Sequence, residues 1–290
     1  MRKLSVAVLA STFALFLVPT PAVGIIQGAF DGNAHPNVGM IFGLEADGAI
    51  FFSCTGTLIA PDVVLTAAHC LEDPAFESVE KFVISFDAVV QIDFDRPDGE
   101  AGVLSPYIAG EPVPHPLFEM PLLDGTSAGP GGMAAFKRAM NYDIGVLLLE
   151  QPAAEVFPGI EPAPLAEEGT LDRFVTGTRN TYFLNANYGV QQSDDGGMPF
   201  DYVIDGRRMK AQLALKQLTD TQLILLGNYQ DARGEGGSCF GDSGSPVFLG
   251  EEIVSLFTWV GSGTCNNTAG GPRIDAPIAR DFLDQFVELP

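Results

Sequence analysis

Positive charge is scarce in this sequence. Its 290 residues carry 15 Lys and Arg against 37 Asp and Glu, a formal net charge of −22. A surface so acidic repels phosphate backbones, which excludes DNA and RNA as ready partners. Cysteine is sparse too: four residues are too few for a disulfide-dense mini-scaffold, and a chain this long does not need one. Long apolar runs are lacking. The longest, residues 4–18, is 15 residues, short of the roughly 20 that span a bilayer. Only 18% of residues are charged while 46% are hydrophobic, which leaves enough apolar material for a sizeable core and excludes wholesale disorder.

Turn residues, by contrast, are abundant. With 33 Gly and 21 Pro, the chain favours many short strands over long helices. Runs rich in Val, Ile, Phe and Thr at 38–44, 49–58, 63–66, 82–86, 144–149, 223–226, 246–249 and 253–260 read as strands. One helix is expected over 277–289, where Ile278, Phe282, Leu283, Phe286 and Val287 recur at helical spacing. No regular strand–helix alternation and no internal repeat is visible, so the chain reads as an all-β barrel or sandwich.

The N-terminus resembles an export signal. Arg2 and Lys3 precede the apolar run, Pro19 and Pro21 end it, and Ala22-Val23-Gly24 places small residues before a cut at Ile25. Removal of residues 1–24 takes away two cations and no acids, leaving a net charge of −24. The expected product is secreted, extracellular or periplasmic, in an oxidising space where cysteines can pair. A retained membrane anchor is the alternative; after cleavage no membrane attachment is expected.

Residues 124–132 and 193–197 read as polar surface loops. The acidic tract 93–100 holds Asp93, Asp95, Asp98 and Glu100, but Pro97 stands where a calcium ligand is expected. It reads as a solvated loop, with calcium as the alternative and no other cofactor expected. Asn266-Asn267-Thr268 is a lone glycosylation sequon.

Three segments carry chemistry. Gly241-Asp242-Ser243-Gly244-Ser245-Pro246 sets a serine between glycines, on a turn open to a substrate. A serine hydroxyl is a weak nucleophile without a base and an orienting acid. The chain has three histidines, at 35, 69 and 115. His35 and His115 each precede proline and read as turn residues without a catalytic part. His69 follows a strand-like run in Leu65-Thr66-Ala67-Ala68-His69-Cys70. Asp143 opens the apolar run Ile144-Gly145-Val146-Leu147-Leu148-Leu149, where it can be buried beside an imidazole. Each residue has a bland reading of its own: a turn serine, a core histidine, a strand-start cap. Four cysteines allow three pairings, and spacing does not choose among them. A metal site is not expected, because no Cys-x-x-Cys pair occurs.

Taken together, Thr66-Ala67-Ala68-His69-Cys70, Asp143-Ile144-Gly145-Val146-Leu147-Leu148 and Gly241-Asp242-Ser243-Gly244 resemble, in that order, the signatures of the trypsin/chymotrypsin-like serine endopeptidases. Ile25-Ile26-Gln27-Gly28, His115-Pro116, Asn187-Tyr188-Gly189 and Ile253-Val254-Ser255 resemble further family segments. The resemblance implies two packed six-stranded Greek-key barrels with a C-terminal α-helix. The first barrel, 25–155, would carry His69 and Asp143, and the second, 156–290, Ser243.

It further implies Ser243 as nucleophile, His69 as general base and acid, and Asp143 as its orienting partner. The Gly241 and Ser243 N–H groups would form an oxyanion hole. Disulfides Cys54–Cys70 and Cys239–Cys265 follow from the same resemblance, as does an activating pair between the Ile25 amine and Asp242. No basic residue lies between Lys3 and Ile25, so the export cut itself is expected to free that amine.

The specificity pocket would involve Gly237, Ser238, Phe240 and Ser255. Gly237 stands where trypsin-like members carry an aspartate, so strict Lys/Arg preference is not expected, although Glu235 lies near. Ser245 replaces a glycine, His69 and Asp143 are 74 residues apart, and Ser255 and Cys265 ten, which implies remodelled walls and an overhanging loop over 119–140. The expected partners are protein or peptide substrates, and the expected state is a monomer. A catalytically silent secreted binding protein on the same fold is the competing reading. An esterase is disfavoured, since its Gly-x-Ser-x-Gly is followed by histidine, and no histidine follows Ser243.

Overall fold

The computed structural model describes residues 28–119, 132–175, 181–192, 202–227, 236–261, 265 and 267–290. The export signal, Ile25, Glu235, Asn266 and the loop 193–197 lie outside the described residues. Six strands make the first barrel: β1 (Val38–Leu44), β2 (Ile50–Ala60), β3 (Val63–Thr66), β4 (Lys81–Ser85), β5 (Ile108–Pro114) and, after helix α1 (Gly132–Asn141), β6 (Gly145–Leu149). Their order is β1–β2–β3–β6–β5–β4, with β4 pairing back onto β1. Every residue of β1 and β3 is buried, which explains their continuous apolar runs.

The second set is β7 (Tyr182–Asn187), β8 (Met209–Leu218), β9 (Gln222–Gly227), β10 (Pro246–Leu249), β11 (Glu252–Leu256) and β12 (Asn267–Pro272). They form a curled sheet in the order β11–β10–β7–β8–β9–β12, with Trp259–Val260 added beside β12. A bridge between Ser255 and Arg273 and the Ile274 N–H to Val254 carbonyl bond, 2.9 Å, draw β12 towards β11 and curl the sheet into the second barrel. The two halves follow the same strand path, although the sequence shows no repeat. Fold identity here rests on pairing and burial, which many unrelated side chains satisfy.

Two elements differ from the sequence expectation. Residues 132–141 form α1 rather than loop; Met133-Ala-Ala-Phe-Lys-Arg-Ala-Met are good helix formers behind a Gly-rich approach. Helix α2 (Pro277–Leu283) stops earlier than its apolar spacing implies. Phe286, Val287 and Leu289 still pack on the core, but through turns, so the periodicity reports burial rather than helix. α2 returns to the first barrel, where Phe282 meets the His115 ring at 5.0 Å. Burial pushes the His115 imidazole pKa down, and its Nδ1 accepts the Leu117 N–H.

One apolar cluster runs through both halves, from Val38, Met40 and Phe42 to Phe248, Ile274 and Phe282. At their junction lies Arg208, fully buried. Its guanidinium reaches Asp31 Oδ2 at 3.1 Å, the Val38 carbonyl at 2.8 Å, the Gly32 carbonyl at 2.8 Å and the Tyr188 hydroxyl at 3.0 Å. It thereby ties the segment before β1 to both barrels. His35 Nδ1 closes on Asp31 at 2.6 Å and its ring stacks on Phe248. Burial pushes the Asp31 carboxyl up, but the His35 hydrogen bonds and charge, with Arg208, bring it down to about 2. A depressed carboxylate contributes stability that is present above its ordinary value of 3.8 and fades as pH falls towards 2.

Arg208→Ala removes the one fully buried cation bonded to Asp31 and leaves the carboxylate to the half-exposed His35 and Lys210. It should cost about 3–5 kcal/mol, measured by urea unfolding at neutral pH. The cost should shrink below pH 3 as Asp31 takes up a proton; a loss under 1 kcal/mol (a rough floor for buried pairs) contradicts this account.

Candidate active site

β3 and β6 are antiparallel neighbours, with Thr66 opposite Gly145. The turn that leaves β3 and the residue that enters β6 therefore share one end of the barrel. His69 sits in that turn, a short 3-10 segment Ala68–Cys70 flanked by the fully buried Ala67 and Ala68. Asp143 stands two residues ahead of β6 and is wholly buried. Its Oδ1 accepts the His69 backbone N–H at 2.9 Å and its Oδ2 meets His69 Nδ1 at 2.8 Å. Two bonds from one carboxylate fix both the backbone and the ring. A proton on Nδ1 leaves Nε2 as the free basic nitrogen.

Burial pulls the His69 pKa down, but the Asp143 charge and hydrogen bond, with Asp73 adding charge, outweigh it, so the imidazole titrates above 6.5. Cys70 is bonded to Cys54 of β2, which pins the turn from below. One His69 ring nitrogen lies within 4.8 Å of both sulfurs, but a disulfide offers no thiolate to a metal.

Ser243 comes from the other barrel, on the turn before β10. Ser245 N–H bonds the Asp242 carbonyl at 2.9 Å, and Gly241 and Gly244 take φ values of 84° and 81°. This turn is fastened to the first barrel through Thr55 of β2. The Thr55 N–H donates to the Ser243 carbonyl at 2.8 Å, and its hydroxyl donates to the Gly241 carbonyl at 3.2 Å. Cys70 Sγ lies 3.7 Å from the same Ser243 carbonyl, so Ser243 and His69 border one crevice. Ser243 is half-buried, and no hydrogen bond joins its hydroxyl to the His69 ring. The Gly241 and Ser243 N–H groups have no acceptor among the described residues.

A buried polar lattice supports the turn from behind. Asn185 Nδ2 donates to Ser245 Oγ and the Pro246 carbonyl, both at 2.8 Å. Asn185 Oδ1 accepts from Asn187 at 2.7 Å and from Ser238 Oγ at 3.1 Å. Thr55 and Asn185 escaped the sequence reading, and Asn187 entered it only within Asn187-Tyr188-Gly189. Two asparagines inside the strand-like Tyr182–Asn187 were the available signal, since a buried amide demands partners.

The expected pocket residues separate. Phe240 is half-exposed beside the turn, and Gly237 is buried against Gly227. Ser238 is buried with its hydroxyl committed to Asn185. Ser255 does not border the crevice. It is fully buried in β11 and its hydroxyl bonds the Pro272 carbonyl at 2.8 Å, where the second barrel curls shut. The stretch beside Ser243 is Phe257–Trp259 instead: the Phe257 carbonyl accepts the Gly244 N–H at 2.8 Å. Cys239 and Cys265 are bonded, holding the chain behind Asp242.

Asp242 is fully buried, accepting the Cys239 N–H at 2.6 Å and the Gly189 N–H at 2.8 Å, and no cation faces it among the described residues. Burial raises its carboxyl to about 8 against the pull of those two N–H groups. In the acidic tract, Arg96 Nη2 donates to Asp98 at 2.6 Å and to Asp47 at 3.3 Å.

A family model described as Trypsin matches residues 30–284. The chain belongs to the trypsin family. Its solved structural neighbours agree on the fold. A structure titled HL collagenase aligns with a TM-score of 0.58 at 16% identity, over 89% of this chain and 95% of that one. A double mutant of human heparin binding protein gives 0.57 at 16%, over 89% and 94%. A Glu endopeptidase gives 0.51 at 16%, over 87% and 90%. The two-barrel architecture is the one this trypsin-family chain adopts, and no helix among its described residues is long and apolar enough to cross a membrane.

A methyl group on Gly244 would overlap Thr66 Oγ1 and the Thr55 carbonyl, whereas Gly250, also at positive φ, faces open space. Gly250→Ala should show only the backbone strain, about 1–3 kcal/mol, and Gly244→Ala should exceed it by at least about 2 kcal/mol in thermal unfolding.

A second outcome follows from Asp242. In chains that retain residues 1–24, its raised pKa contributes stability that is full below 3.8 and is lost as pH rises through about 8. The melting temperature of such chains should fall between pH 5 and pH 9, and Asp242→Asn should flatten that fall.

Proposed function

We propose that the chain is a secreted serine endopeptidase that cuts peptide bonds through Ser243, His69 and Asp143. The observation that carries this reading is the buried Asp143 carboxylate bonded to both His69 nitrogens that face it, beside a serine turn fastened to the same crevice. Ser243 Oγ attacks the peptide carbonyl while His69 Nε2 takes its proton. The same imidazolium returns that proton to the leaving amine, and an acyl-enzyme on Ser243 remains. Water, deprotonated by His69, then attacks the acyl carbonyl; the acyl–Oγ bond breaks, the imidazolium returns the proton to Ser243 Oγ, and the acid leaves. Asp143 holds the tautomer and offsets the imidazolium charge. The unpaired Gly241 and Ser243 N–H groups are available to the oxyanion, a contribution of about 2.7–4 kcal/mol per donor.

Gly237 offers no charge at the expected pocket base, which argues against strict Lys or Arg preference. Two disulfides fit an oxidising compartment. The buried carboxyl of Asp242 is suited to receive the Ile25 amine once the export cut frees it. That pair would order the Gly241–Ser243 turn, since the carboxyl is built into it. The competing reading, a silent binding protein on the same fold, draws on the missing Ser243–His69 bond. Such bonds are often long without substrate and close when it binds.

A fluorophosphonate should label Ser243 in the secreted protein, and Ser243→Ala should abolish both labelling and cleavage. An unlabelled protein is the binding protein instead. Asp143→Asn should lower kcat about 10⁴-fold. In the unaltered protein the acid limb of kcat/KM should lie above the ordinary histidine value, because the base must be neutral and its pKa is raised; Asp143→Asn should move that limb to lower pH. N-terminal sequencing should begin at Ile25, and any other start contradicts activation by export.

A further inference from the structure

His115 is a buried histidine that the proposed chemistry does not use, and it joins two distant parts of the chain. Its ring meets both Tyr142 and Phe282, each at a centroid distance of 5.0 Å. Phe282 belongs to α2, and Tyr142 immediately precedes Asp143. The His115 backbone N–H also donates to the Ile144 carbonyl at 2.9 Å. One residue thus holds the chain on both sides of Asp143 and docks the last helix there. We infer that His115 is an acid-operated release: protonation of its ring undocks α2 from the first barrel and loosens the segment 142–144 that carries Asp143.

The hydrogen bonds of the ring suit its neutral form alone. Nδ1 accepts the Leu117 N–H at 3.1 Å, so the single ring proton sits on Nε2. The ring also bonds the Ile278 carbonyl, in the first turn of α2. A proton added at Nδ1 would point at the Leu117 N–H and leave two donors face to face without an acceptor. His115 is only 7% exposed, so the added charge has little water to meet it.

No counter-charge offsets that cost. Asp143 is committed to His69. On α2, Arg280 bonds the Ala166 carbonyl, while Asp281 and Asp284 are exposed. Glu111 on β5, Glu119 beyond the turn, and Lys137 and Arg138 on α1 are exposed as well. The titratable group that touches the ring is the Tyr142 phenol. Burial therefore pulls the imidazole below its ordinary value of 6.5 against the Ile278 carbonyl, with no charged side chain contributing.

The sign follows from linkage. A histidine whose pKa is lower folded than unfolded contributes stability that is complete above 6.5 and is lost as pH falls below it. His69 has the opposite shift, so its contribution is fully present below 6.5 and does not produce a loss there. On the peptidase reading, the same release would slacken the acid that orients His69. Acid would then switch activity off by a step separate from protonation of His69 itself.

The test is amide hydrogen exchange read by NMR on the full chain with Ser243→Ala, at pH 7 and pH 5, each rate corrected for its intrinsic pH dependence. The amides of Leu117, Ile144 and Asp284 bond the His115 ring, the Tyr142 carbonyl and the Arg280 carbonyl. All three should open about tenfold more at pH 5, while the ladder between β3 and β6 keeps its protection. The His115 ring signals should titrate below 6.5. His115→Asn keeps an acceptor for the Leu117 N–H, and His115→Phe keeps the ring contacts; neither side chain takes up a proton. In both variants the ratio of Asp284 opening at pH 5 to that at pH 7 should fall to within twofold of one.

Unchanged exchange at pH 5 in the parent chain, or a His115 ring that titrates at or above 6.5, overturns the inference. So does acid opening that persists in both variants. If neither variant folds, the two readings on the parent chain decide. None of these readings needs turnover, so they stand apart from fluorophosphonate labelling: an acid release without labelling removes only the peptidase reading, and labelling without an acid release removes only this one.

Discussion

Everything at the candidate site depends on a fastening between the two barrels. Asp143 and His69 belong to the first barrel and Ser243 to the second, and Thr55 joins the two with a backbone bond to Ser243 and a hydroxyl bond to Gly241. Its hydroxyl also accepts the Tyr188 N–H, so one threonine reaches two separate segments of the far barrel. Gly244 lets the turn approach this close because it has no side chain to hold it off. The seam is made of groups with strict partners and directions, which sets relative position far more sharply than apolar contact does.

Charge is used in a similarly local way. The chain is strongly acidic, but its buried acids do different work according to company. Asp143 orients a ring, Asp31 is neutralised by a guanidinium and a histidine, and Asp242 stands without a cation among the described residues. Their environments, not their residue type, separate the Asp31 carboxyl, held down to about 2, from the Asp242 carboxyl, raised to about 8. The surplus surface acids remain outside these arrangements.

The parts legible in the sequence were those where local pattern and burial coincide. Apolar runs marked β1, β3, β6 and β10, and the motifs at His69 and Asp143 marked two residues that the structure bonds to each other. β5 was hidden because it contains Pro112 and Pro114; it tolerates them because β4 pairs only Ile108–Gly110, leaving the prolines with a partner on one side. β8, Met209–Leu218, has the composition of a helix and becomes a strand only through β7 and β9 on its flanks. Ser255 illustrates the opposite error. A motif-like Ile-Val-Ser suggested a substrate wall, but the chain runs two residues further before it passes Ser243. Nothing local to 253–255 encodes that offset; the pairing of β10 with β11 does.

The return of α2 to His115 has a consequence for biogenesis. Residues 277–283 complete the packing around a side chain laid down well over a hundred positions earlier. The leading half therefore leaves synthesis with an uncovered apolar flank, and any product cut short before Phe282 keeps it. The last helix thus acts as the latch on the first structure made.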